Sequence, residues 1–127
     1  MAASLDYPSM NRDDHNYLAG MGRDLALALT RSPADRGDAM RMLGLFRSSL
    51  LLHFLQEEEV MQEANYPGFF LHKFSHEALT ARLTALQSCY AAGRKASVAA
   101  AWPAVQAGLH SHLDRYDVPL VAFFERG

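Results

Sequence analysis

Six histidines punctuate the 127-residue chain, and several stand at helical spacing from one another or from a carboxylate. His53 and Glu57 are four residues apart, as are His72 and His76, which sets each pair one turn apart on one face of a helix. His112 and Asp117 are five apart, and His15 stands alone near the N-terminus. A buried polar group without a partner costs about 1 to 3 kcal/mol, so such residues on inward helix stripes need a common reason. Imidazole nitrogens and carboxylate oxygens together suit borderline first-row metal ions. Five imidazoles and two carboxylates exceed the needs of one ion. If both carboxylates and a solvent oxygen bridge two ions, imidazoles shared as three and two leave one ion six-coordinate. The other is then five-coordinate, with one open position for a small ligand. A closed structural zinc site takes four ligands, often thiolates, and this chain has a single cysteine. Magnesium and calcium prefer oxygen ligands. Iron fits best, with manganese the alternative.

Four elements have to carry these side chains. From Asn11 to Thr30, His15, Leu18, Gly22, Leu25 and Leu29 recur at steps of three and four, predicting a helix over 11–30. Ser32-Pro33-Ala34-Asp35 resembles a capping sequence, and Met42, Leu45, Phe46, Ser49, His53, Gln56, Glu57, Val60 and Met61 share a face of a second helix, about 33–65. Asn65-Tyr66-Pro67-Gly68 ends it. Phe69, His72, His76, Leu79, Leu83, Leu86 and Tyr90 mark a third helix over 67–92. Trp102, Val105, Leu109, His112, Tyr116 and Leu120 mark a fourth over 97–124, which Pro103 and Pro119 should kink, delay or end. No period-two alternation points to strands. Short loops between long helices predict an all-α, antiparallel up-down-up-down four-helix bundle forming a single domain over 1–127.

That topology would bring together the start of the first helix, the end of the second, the start of the third and the end of the fourth. All seven candidates lie at those ends. Taken singly, each has a plainer reading: an inward histidine such as His15 is usually a hydrogen-bonded core residue, and an acid run such as Glu57-Glu58-Glu59 usually faces water. Convergence at one level favours a metal site. Five residues of regular helix put His112 and Asp117 about 140° apart, so the fourth helix must be distorted or the two approach from different sides. His110 competes, being four residues from Asp114, but it falls off the Leu109 stripe and is expected to face solvent.

The string His15, His53-Phe-Leu-Gln-Glu57-Glu58, Tyr66-Pro67-x4-His72-x3-His76 and His112-x4-Asp117 resembles the bacteriohemerythrin signature over nearly the whole chain. Ferritin-like di-iron proteins use Glu-x-x-His pairs, which are absent here. The resemblance implies two iron ions (Fe2+/Fe3+) with a bridging oxo or hydroxo group. His72, His76 and His112 would hold the saturated iron, His15 and His53 the open one, and Glu57 and Asp117 would bridge. It implies reversible O2 binding without enzymatic turnover, for carriage, storage or delivery, with NO or azide-like small anions as further ligands. A sensor of O2, redox state or NO, or a di-iron enzyme handling peroxide or NO, are the alternatives. Leu18, Leu25, Phe54, Phe69 and Leu109 are assigned to the apolar O2 pocket. Gly108-Leu109 stands where many members carry Trp-Leu, so the pocket should be more open to water and oxidation to the ferric state faster.

Composition narrows the partners. Half the residues are hydrophobic and the net charge is -2, with scattered basic residues that leave no footprint for nucleic acid or an anionic membrane. No apolar run approaches a membrane span or a signal peptide. The lone Cys89 fits a reducing compartment, so a cytoplasmic protein is expected.

Overall fold

The structure, a computed structural model, describes residues 6–30 and 36–126. Among them the chain is helical, without a strand. The helices are α1 (Tyr7–Thr30), α2 (Arg36–Glu63), α3 (Phe69–Ala91), α4 (Lys95–His112) and α5 (Val118–Glu125), with a π-helical turn, Leu113–Asp117, joining the last two. The Ser32-Pro33-Ala34-Asp35 sequence lies outside the described residues.

Helix α1 starts a turn earlier than the apolar stripe predicts. The carboxylate of Asp6 accepts hydrogen bonds from the backbone N–H and the hydroxyl of Ser9, satisfying an orphan donor of the first turn. The ends of α2 and α3 are closed alike. Asn65, with φ of 53°, lets Tyr66 N–H reach the Met61 carbonyl, and Gly93, with φ of 85°, lets Arg94 N–H reach the Cys89 carbonyl. Each turns the chain through the left-handed region that Gly and Asn tolerate best.

Helix α1 packs on α2, α4 and α5, and α3 packs on α2 and α4, so four helical segments enclose one interior. Its larger apolar cluster includes Leu25, Leu43, Phe46, Leu83, Val98 and Trp102. A smaller one unites Tyr7, Val60, Met61 and Leu120, with Phe69 and Phe124 against it. Of the stripe expected on α2, Phe46, His53, Glu57, Val60 and Met61 are buried, whereas Leu45 and Gln56 are exposed and Leu43 and Leu50 are buried beside it. Pro103 lies inside α4 without ending it. Pro119 follows the π turn at the start of α5, where its missing N–H needs no partner in the preceding turn. No helix among the described residues is long and apolar enough to cross a membrane.

Trp102 ties three helices together. Its ring meets Phe46 edge-on at 5.3 Å, and its indole N–H donates to the Gly22 carbonyl at 3.3 Å. Trp102→Ala is expected to cost about 3 to 5 kcal/mol through the cavity it leaves. A urea midpoint unchanged from wild type would contradict this packing.

Candidate metal centre

Between the two apolar clusters lies a layer of buried polar side chains: His53, Glu57, His72, His76, His112 and Asp117, with half-buried His15 at its edge. All seven sequence candidates meet here. Ligand atoms of Glu57, His72, His76, His112 and Asp117 lie within 4.8 Å of one another, as do those of His15, His53 and Asp117. The buried His, Glu and Asp cluster could therefore hold metal.

The carboxylates divide their oxygens between the two sets of rings. Glu57 Oε1 stands 3.3 Å from His72 Nε2 and 3.0 Å from His76 Nε2, whereas Oε2 is 3.3 Å from His53 Nε2. Asp117 Oδ1 is 2.9 Å from His72 Nε2 and 3.0 Å from His112 Nε2, and its Oδ2 is 2.8 Å from His15 Nε2. Of these contacts, His15 with Asp117 and His76 with Glu57 are hydrogen bonds, and the others are not. Nε2 of His53, His72 and His112 and Oδ1 of Asp117 are buried without a hydrogen-bond partner. Buried polar atoms are normally paired, and several orphans facing one point suit ligands grouped around a cation.

The opposite nitrogens of three rings are held, whereas His72 Nδ1 is buried without a partner. His53 Nδ1 lies 2.8 Å from Asp14 Oδ2, His76 Nδ1 2.8 Å from Glu58 Oε2, and His112 Nδ1 2.7 Å from Ser75 Oγ. A carboxylate can only accept, so Nδ1 of His53 and of His76 donates, which fixes ring orientation as outer partners of metal-binding histidines do. Phe54 stacks on His76 with centroids 3.9 Å apart.

Tyr7 and Asn11 were not picked out from the sequence. The Tyr7 hydroxyl donates to Glu57 Oε2, and Asn11 Nδ2 lies 2.9 Å from the Tyr7 oxygen, 3.1 Å from Glu57 Oε2 and 3.4 Å from Asp117 Oδ2. Their signal was present, since Tyr7, Asn11 and His15 continue the α1 stripe backwards in steps of four. The His112 to Asp117 spacing is resolved by the π turn. Val118 N–H bonds the Leu113 carbonyl five residues back, and this one wider turn brings both side chains inward.

Charge is distributed by competition between burial and contact. Burial would lower the pKa of His53 and His72, but the carboxylates of Asp117 and Glu57 outweigh it and raise them to about 10 and about 9. Burial would raise Glu57 and Asp117, yet the surrounding rings hold both well below the usual carboxylate range. At His112 burial wins and its pKa falls. Tyr7, buried beside Glu57 and Asp117, is pushed up and stays a donor.

A cavity of about 290 Å³ abuts His15, His53, His112 and Asp117 and is walled by α1, α2 and the α4 segment. Leu18, Phe54 and Leu109 line it, but Leu25 and Phe69 do not. Leu25 sits ten residues beyond His15 on α1, roughly 15 Å along the axis, and is fully buried in the larger core. Phe69 belongs to α3, which contributes nothing to the lining, and packs with the smaller cluster. Gly108 does not open this cavity either. A Cβ there would meet Arg82 Nη1 at 2.7 Å, so α3 fills that space. His110 is exposed, at the cavity rim.

Compared with family models, with curated proteins and with solved structures, the chain matches none.

The metal-free protein should have a stability maximum in weak acid. The raised values of His53 and His72 stabilise fully below 6.5, the unfolded value, and this is lost as pH rises through about 9 and 10. The depressed Glu57 and Asp117 stabilise above 4.5 and 3.8, their unfolded values, and progressively less below them. Urea midpoints should therefore be higher at about pH 6 than at about pH 3 or 10.5. A profile flat from about pH 6 to 10.5 would show that the carboxylates do not charge these rings.

Proposed function

We propose that this chain binds O2 reversibly at a carboxylate-bridged pair of irons, for carriage, storage or delivery, as its resemblance to the bacteriohemerythrins implies. The observation that carries the reading is the division of Glu57 and Asp117, whose oxygens separate towards two sets of rings. His72, His76 and His112 would hold one iron, His15 and His53 the other, and the two carboxylates would bridge them. Three rings on one side and two on the other would leave the second iron the open position, and the cavity abuts both of its rings, His15 and His53. On this reading the chain is one domain with the antiparallel up-down-up-down topology. The five-residue link 64–68 and the three-residue link 92–94 support it, since connections this short return the chain beside itself.

Bound iron would supply the open coordination position and the electrons that O2 takes up. The protein's own part is to position and to exclude. Asp14, Glu58 and Ser75 fix the planes of His53, His76 and His112, and the two carboxylates among them make their rings better donors. Tyr7 and Asn11 hold the bridging carboxylates from the smaller apolar cluster. Leu18, Phe54 and Leu109 restrict water on the open side. The phenol of Tyr7 keeps its proton, and on this reading O2 leaves as it came. NO and azide-like anions would enter the same position. Basic residues number 12 against 14 acidic ones, which agrees with gas and small anions rather than nucleic acid as partners.

Protein reduced without air should contain two irons per chain and develop a visible absorption band with O2 that fades under argon. A protein that takes up no iron, or whose colour never reverses, would end this reading. Tyr7→Phe and Asn11→Leu should each weaken iron binding by about 10- to 100-fold, the range for loss of an outer partner. Chelator competition measures this, with the exposed Asp13→Asn as the control, and affinities equal to wild type would remove the role given to Tyr7 and Asn11.

A further inference from the structure

The cavity beside His15 and His53 is far larger than O2 requires. Its volume is about 290 Å³, whereas a water molecule's share of the liquid is about 30 Å³ and a dry cavity of about 150 Å³ holds benzene. A metal ion and a diatomic ligand together leave most of this space unfilled. The walls are apolar, formed by Leu18, Phe46, Leu50, Phe54, Leu109 and Leu113.

Its two ends differ from its walls. The inner end carries His15, His53 and His112, and Asp117 is its only carboxylate. Arg23, Gln106 and His110 stand among the lining residues, and Ala19, Arg23 and His110 are exposed, so the cavity reaches solvent between α1 and α4. No acidic residue stands at that mouth. A site with metal at the inner end and Arg23 outside selects for negative charge. An apolar body between two such ends selects for size and greasiness.

We infer that this cavity is a binding site for a small organic monoanion of about the size of benzoate, its carboxylate at the open metal position and its hydrocarbon part among the leucines and phenylalanines. The inference rests on the di-iron reading and deepens it. Occupied, the cavity closes the open position to gas and to inorganic anions; vacated, it admits them.

The test uses the full chain loaded with ferric iron, azide as the small anion and benzoate as the organic one. Azide binding is followed by its absorption band while benzoate is raised. Competitive displacement is expected, with the apparent azide dissociation constant rising at least tenfold at saturating benzoate. Ala19→Trp, which places an indole at an exposed point of the mouth, should weaken benzoate at least tenfold while the azide band still forms. Acetate, with the same charge and no ring, should compete far less well than benzoate. An azide band indifferent to benzoate in iron-loaded protein overturns the organic-anion site and leaves the di-iron reading standing. Equal competition by acetate and benzoate also overturns it, because the cavity then contributes nothing. A chain that binds no iron fails at the earlier step and takes both readings with it. Direct titration of benzoate by calorimetry keeps the result independent of colour, since heat should appear in wild type and vanish in Ala19→Trp.

Discussion

Glu57 and Asp117 are 0% and 1% exposed, and a carboxylate so far from water is tolerable only when donors or cations surround it on every side. Everything near them answers that demand. Five imidazoles approach their oxygens, the Tyr7 phenol and the Asn11 amide occupy further directions, and Asp14, Glu58 and Ser75 hold three of the imidazoles, those of His53, His76 and His112, from behind. The layer is polar through two shells, yet apolar clusters close it above and below.

Such a layer requires its backbones to be held in place, and the helix ends supply part of that. The Asp6 cap extends α1 by the turn that carries Tyr7, and without that turn Glu57 Oε2 would lose its phenol donor. The left-handed residues Asn65 and Gly93 end α2 and α3 sharply, and Asn65, in the short link from α2 to α3, helps keep the His53 to Glu57 pair level with the His72 to His76 pair. The π turn solves a different problem. It adds one residue of rotation to the fourth helical segment, so that His112 and Asp117 point inward together instead of about 140° apart.

The geometry around the two sets of rings is asymmetric, and the asymmetry gives the functional reading its direction. The set of His72, His76 and His112 is enclosed by Phe54 and Tyr116, whose rings lie against theirs. His15 and His53 face the cavity, which from the other set reaches only His112. Access comes from the seam of α1 and α4, past Ala19 and Arg23, and not from Gly108, whose missing side chain is replaced by Arg82 of the neighbouring helix.

The pattern of the sequence was enough for the helical class and for the meeting of seven polar side chains, because spacing of three and four determines which residues share a helix face and helix ends determine their depth. For His112 and Asp117 it left two alternatives, a distorted helix or an approach from different sides, and the π turn is the first of them. On α2 the periodicity also takes in Leu45 and Gln56, which are exposed, because they stand beside the buried Phe46 and Glu57 and spacing alone cannot rank neighbours. Which outer groups hold the rings, that Tyr7 and Asn11 reach the carboxylates, and that Leu25 and Phe69 lie away from the cavity were decided only by the packing. Those are relations between side chains of different helices. They depend on how far each helix is rotated and slid against its neighbours, a quantity that no single helix's sequence contains.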